Sequence, residues 1–268
     1  MSRRTRWTAL AAAALLCLVT GCSGGPANKG DAAGPPQRGG SLTYLVSGLL
    51  GSWSRGLDPA SAGAAPTIFE AAIFGGLFQL AEGGRVVPDM ATGYKISDRG
   101  KTVTISLRKG VKFQDGTALD ADAVAWNIKR DLKTPCVCSP SSSWPPLADD
   151  GIATPDDQTV VLHFTHAYAG VMNVFVGTSV NRIASPTAVK KMGAQPFRLK
   201  PVGAGPFQIV NNVVNSQIDM KRYGGYFKAG RPYLDTLVFK TIAGDQPAYQ
   251  AIQAGQAQAG AVTSPSIF

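Results

Sequence analysis

The stretch KTVTISLRKGVKFQDGTALDADAVAWNIKR, residues 101–130, carries the reading that decides the fold. Its first third alternates. Val103, Ile105 and Leu107 fall on one face, and Thr102, Thr104, Ser106 and Arg108 on the other, the period of a half-buried strand. Its last third changes period. Val124, Ile128 and, just beyond, Leu132 recur every four residues, as on an amphipathic helix, with Asp120 placed to cap its start. Asp115-Gly116 supplies a turn between the two. The aspartates Asp115, Asp120 and Asp122 invite a calcium reading. Loops of the EF type, however, place oxygen ligands at alternate positions around a glycine and close on Glu, and these three do not. Asp122 instead reads as a first-turn acid and Lys129 and Arg130 as last-turn cations that complement the helix dipole. Trp126 is expected at the edge of the apolar face.

Outward from this stretch the pattern stays mixed. Upstream, SLTYLV (41–46) reads as a first strand, and PTIFEAAIFGGLFQL (66–80) as a helix that begins at Pro66 and breaks at Gly75-Gly76. RVVPDM and GYKISDRG read as short strands, with SDRG a turn. Downstream, residues 132–150 are rich in Pro and Ser and read as a loop. DDQTVVLHFT reads as a strand in which Val161 and Leu162 break strict alternation. SPTAVKKMG reads as a short helix with Ser185 as cap, Pro186 in first position and Gly193 at its stop. VGAGPFQIVNN and NSQIDMKRYGGYF give a turn and two strands, PYLDTLVFKTI a further strand, and DQPAYQAIQAGQ a closing helix. No fixed repeat appears.

Composition limits the function classes. The 268 residues are 44% hydrophobic and 16% charged, which suits a packed core, and 31 Gly with 18 Pro imply many turns. The formal charge of +9 first suggests nucleic acid. Setting aside Arg3, Arg4 and Arg6, about +6 remains, thinly spread and without aromatic interleaving, which argues against it. There is no Gly-x-Ser-x-Gly elbow and no His-Glu-x-x-His, and GAGPF at 203–207 lacks the rest of a phosphate-loop fingerprint.

The N-terminus reads as a targeting segment, residues 1–21. MSRRTRW is basic, TALAAAALLCLV is apolar but short for a permanent span, and VTGC (19–22) is similar to a bacterial lipobox. That implies lipidation of Cys22; the alternative is an ordinary secretory signal in which Cys22 is accidental. Residues 22–40, rich in Gly, Pro and Ala, read as a flexible tether. Cys136 and Cys138 remain open between a tight disulfide, a metal half-site and free thiols. With His163 and His166, the only histidines, they match known zinc spacings poorly.

In order along the chain, GGSLTYLV…GLDPA, IFEAAIFGGLFQL, VVPDMATGYKISDRGKTVTISLRKGVKFQDGTALDADAVAWNIKR, VGAGPFQIV, MKRYGGYFKAGRPYLDTLVFKTI and AYQAIQAGQAQAG resemble family 5 extracellular solute-binding proteins of bacterial ABC importers, the oligopeptide and dipeptide type. Gln258 or Ala259 stands where the family's last helix usually ends in an acid. The resemblance implies an α/β, periplasmic-binding-protein-like fold (type II, the large cluster C type) with mixed sheets and flanking helices. It also implies a division into an incomplete domain I (41–74 and 200–268) and domain II (75–199). Family members are roughly twice as long, and their ligand lies between domain I and a third domain that closes like a hinged trap. The chain is therefore expected to be the N-terminal part of such a protein. The implied function is a lipid-anchored, extracytoplasmic solute receptor that captures peptides or similar solutes for ABC permease subunits; by the same resemblance it is expected not to be an enzyme and to be a monomer without cofactor or metal. The alternatives are a truncated interaction module or remnant, and a secreted lipoprotein enzyme. Ala62, Gly63 and Ala64, after the Leu57-Asp58-Pro59 turn, are the expected ligand-binding residues, because small side chains allow close backbone approach; a plain Ala/Gly loop is the other reading.

Overall fold

The computed structural model describes residues 34–47, 53, 56–60, 67–133, 144, 146–261 and 264. The leader, Cys22, most of the tether, the loop with Ala62, Gly63 and Ala64, and Cys136 and Cys138 lie outside the described residues. From Gln37 onward the described residues belong to one unit. No helix among them is long and apolar enough to cross a membrane.

The alternating stretch forms β5 (Thr102–Leu107), centred in a four-stranded antiparallel sheet with β4 (Ala91–Ser97), β6 (Leu147–Asp156) and β7 (Thr159–Phe164), in the order β4-β5-β7-β6. Val103 faces Leu162 and Ile105 faces Val160 in register, all four fully buried. Alternation in β7 is complete: Val160, Leu162 and Phe164 are buried and Val161 turns to the other face, so the expected break does not occur. The helix α2 (Ala121–Leu132) packs Val124 and Ile128 into this core. Asp120 caps it, its Oδ1 accepting from the Ala123 N–H at 2.8 Å. The residues 147–150, expected as loop, belong instead to β6. The strand is an edge, its register shifts twice, and Asp150 adopts φ 53, so its apolar residues never alternate.

The second sheet has five strands, β11-β1-β10-β9-β8. β1 (Ser41–Ser47) pairs in parallel with β10 (Thr236–Ile242) on one side and β11 (Ala259–Ala261) on the other. β9 (Gln217–Arg222) and β8 (Phe207–Val213) continue it antiparallel. Leu45 and Val46 are both buried, though on opposite faces. One face is covered by α1 (Thr67–Phe74), the other by α6 (Asp245–Gln253), so β1 buries apolar side chains on both sides. Trp53, Phe69 and Phe239 form an aromatic row in this core, with ring centroids 5.2 and 4.7 Å apart. The short helices α3 (Val171–Gly177), α4 (Pro186–Met192) and α5 (Ala194–Leu199) fill the remaining faces. Ser185 caps α4, accepting from Ala188 N at 3.1 Å. Ala184, Ala188 and Phe197 pack into the core of the five-stranded sheet.

Gln114 fastens the two sheets to each other. Its Nε2 donates to the carbonyls of Ile73 (3.0 Å), Gly205 (3.3 Å) and Phe207 (2.8 Å), and its Oε1 accepts from Gly203 N at 3.3 Å. The GAGPF segment runs so close to α1 that a Cβ on Gly205 would stand 2.6 Å from the Ala72 carbonyl oxygen. Backbone approach, not phosphate, is what these glycines serve.

Candidate functional site

Where the two cores meet, a cavity of about 830 Å³ opens between the end of α1, the ribbon of β2 (Phe78–Leu80) and β3 (Val86–Pro88), and the segment from Val176 to Arg182. The chain is steered there by the Gly75-Gly76 break. Past it, Phe78 is held by Asn181, whose Oδ1 accepts from Phe78 N at 3.0 Å while its Nδ2 donates back to Phe78 O at 3.0 Å. Asn181 is fully buried, so both halves of its amide need these partners.

The lining carries charge. Glu70 projects from α1, and Arg182 follows Asn181; Arg182 Nε lies 3.8 Å from Glu70 Oε2, and its Nη1 donates to Gly75 O at 2.7 Å. Burial pushes the Glu70 carboxyl up to about 7, only partly offset by Arg182. Burial likewise lowers Arg182, opposed by Glu70 and Asp89. Asp89, almost wholly buried, pairs with Lys228 Nζ at 2.5 Å and accepts from Gln79 Nε2. Tyr226 closes the rim, its phenol pushed up to about 12 by burial and by Asp89.

Beside the cavity, α2 ends in Arg130-Asp131. Arg130 was expected only to complement the dipole; it forms an ion pair with Asp58, which is 1% exposed and also accepts from Ala60 N at 3.2 Å. The guanidinium lies 5.5 Å from the Trp126 ring centroid, and Trp126 is half-buried at the edge of the helix's apolar face. Asp131 is raised to about 7, chiefly by burial, against Arg130 and a hydrogen bond from Ser179.

The Leu57-Asp58-Pro59 turn that precedes the expected ligand-binding residues is buried and held by Arg130 at Asp58. Asp115 accepts from Ser185 Oγ at 2.5 Å and from Thr117, and Asp122 accepts from Thr154 at 2.7 Å; both are scaffold. His163 and His166 are exposed and bonded to Thr102 and Thr165. Among the described residues no group of three His, Cys, Asp or Glu is placed to hold a metal ion. Glu70, Arg182, Asp89 and Asn181 were not singled out from the sequence. The available signal was a Glu inside the apolar run TIFEAAIF, in a chain with few charges.

The model of the bacterial extracellular solute-binding proteins, family 5 (middle region), matches residues 85–268. The glutathione-binding protein GsiB of Salmonella paratyphi A is 31% identical over 212 residues, 78% of this chain and 40% of that protein. Among solved structures, an ABC transporter substrate-binding protein from Sinorhizobium meliloti superposes with a TM-score of 0.69 at 29% identity, over 81% of this chain and 42% of its own. The oligopeptide-binding protein AppA from Bacillus subtilis, in complex with a nonapeptide, gives 0.69 at 26%, over 83% and 44%. AgaA of A. tumefaciens R10, in complex with agropinic acid, gives 0.68 at 26%, over 81% and 43%. The chain spans about two fifths of the length of the curated relatives it matches. Its mixed α/β fold is that of the type II periplasmic binding proteins.

Proposed function

Because the chain belongs to the bacterial extracellular solute-binding proteins of family 5, we propose that it captures peptides or similar small solutes outside the cytoplasm for an ABC permease, with the cavity between its two cores as the solute-facing surface. One observation carries this reading. The cavity is lined by the Gly75-Gly76 break and by a largely buried pair of opposite charges, Glu70 and Arg182, a combination suited to small polar solutes. Domain I as 41–74 with 200–268, and domain II as 75–199, belong to the same reading; the separate cores of the two sheets support two lobes, with Ala184, Ala188 and Phe197 packing on the five-stranded sheet rather than with the rest of 75–199. Calorimetric titration of the full chain with a pool of short peptides and with glutathione tests it. Saturable heat that Arg182→Met reduces is expected; no heat with any of these solutes sinks the proposal.

Attachment through a lipid on Cys22, with residues 22–40 as tether, completes the proposal. It is supported by the order of basic, apolar and VTGC segments. A Cys22→Ala variant is expected in the medium rather than in the membrane fraction. Unchanged membrane retention refutes the anchor.

A further inference from the structure

Glu70 and Arg182 meet at the cavity with more hydrogen-bonding capacity than they use. A guanidinium offers five N–H donors and a carboxylate two acceptor oxygens. Arg182 spends one donor on the Gly75 carbonyl, and at 3.8 Å its Nε is beyond hydrogen-bond length of Glu70. Among the described residues neither side chain has a further hydrogen-bond or ion-pair partner. Both side chains are only 15% exposed, so water compensates little. Burial is the largest influence on each, driving both towards their neutral forms. The neighbouring acid Asp89 is already matched by Lys228 at 2.5 Å. Space at the corner is kept by glycine: a Cβ on Gly76 would stand 2.7 Å from Arg182 Nη1 and 2.8 Å from the Phe78 carbonyl oxygen.

We propose that this corner of the cavity receives an α-amino-acid head group, with its carboxylate on Arg182 and its ammonium on Glu70. The proposal rests on the reading of the cavity as the solute-binding surface. An amino-acid head carries its two charges on neighbouring substituents of one carbon, which suits opposite charges held as close together as Glu70 and Arg182. A free amino acid, or a γ-glutamyl compound, presents such a head. An ordinary peptide does not, because the carboxyl of its first residue is consumed in the amide bond. Each charge of the head gains a charge-assisted hydrogen bond and relieves a half-compensated group on the protein.

Glutathione and its α-linked isomer α-Glu-Cys-Gly make the test, since they share atoms and net charge and differ only in whether the head is intact. In titrations of the full wild-type chain at up to millimolar solute, glutathione is expected to bind about tenfold or more tightly than the isomer, the worth of one charge-assisted contact. N-acetylglutathione, which lacks the ammonium, should behave like the isomer. Arg182→Met should erase the preference for glutathione over the isomer, and Glu70→Gln the preference over the N-acetyl form, with thermal melts checking that each variant is folded. The wild-type comparison depends on no variant. Equal affinity for glutathione and the isomer overturns the head-group assignment and leaves solute capture standing. Absence of binding by either isomer and by every peptide overturns the reading of the cavity and the head group together.

Discussion

The strand–turn–helix stretch from Thr102 to Leu132 and the cavity corner at Glu70 and Arg182 are written into the chain in opposite ways. In the stretch, burial follows a period of two and then of about four, and the cap and turn bonds join residues two or three apart. At the corner, the Asn181–Phe78 bonds span 103 positions and the Arg182–Gly75 bond 107. Scaffold of this kind is specified locally and repeatedly, whereas the corner exists only after distant segments have met. Variants should therefore fail in different ways in the two regions.

The largest effect is expected from Ile105→Ala, which opens a void in the centre of the four-stranded sheet. A loss of about 2–5 kcal/mol in urea unfolding is the expected result, and a loss below about 1 kcal/mol would show that the local pattern does not carry the core. Gly205→Ala comes next. Its methyl group would press on the Ala72 and Ile73 carbonyls, for a cost of about 1–3 kcal/mol. That contact holds α1 against the segment entering β8 on the five-stranded sheet, so the melting temperature should fall; a transition at the wild-type temperature would break the comparison.

Protons act at the corner and not on the strand. The folded chain holds a proton on Glu70 up to about 7, whereas the unfolded chain releases it near 4.5. Between those values the folded state binds more protons, so this group's contribution to stability is complete below 4.5 and is lost as pH rises through about 7. Asp131 adds a slope of the same sign, from 3.8 to about 7. Urea midpoints measured across this window should fall with rising pH, and more gently in Glu70→Gln; an identical slope in the variant would contradict the assignment. The smallest effect is expected from Asp120→Ala, which removes one capping bond from α2 at a cost of about 1 kcal/mol without touching solute binding.

Legibility followed the same division. β5, the Asp115-Gly116 turn, α2 and the Ser185-capped α4 were readable because period, cap and turn chemistry agreed at each. β6 was not, since a bulged edge strand carrying Asp149 and Asp150 shows neither alternation nor a continuous apolar run. Arg130 was given a dipole role because Asp58, its actual partner, lies 72 positions away. Glu70 and Gln114 were missed for a related reason. A buried polar side chain is recognised by what surrounds it, and those surroundings come from Arg182 and from Gly203 to Phe207.

The parallel pairing of β1 with β10 orders the birth of the molecule in time. Ser41 to Ser47 leave the ribosome early, yet their partners, Thr236 to Ile242, come near the end. At synthesis rates of about 5–20 residues per second, β1 waits on the order of ten seconds or more for its neighbour. The strands of the four-stranded sheet all lie within residues 91–164. The nascent chain therefore completes that set of strands first. It keeps β1 without its strand partners until the last strands arrive, an unpaired edge for that whole interval.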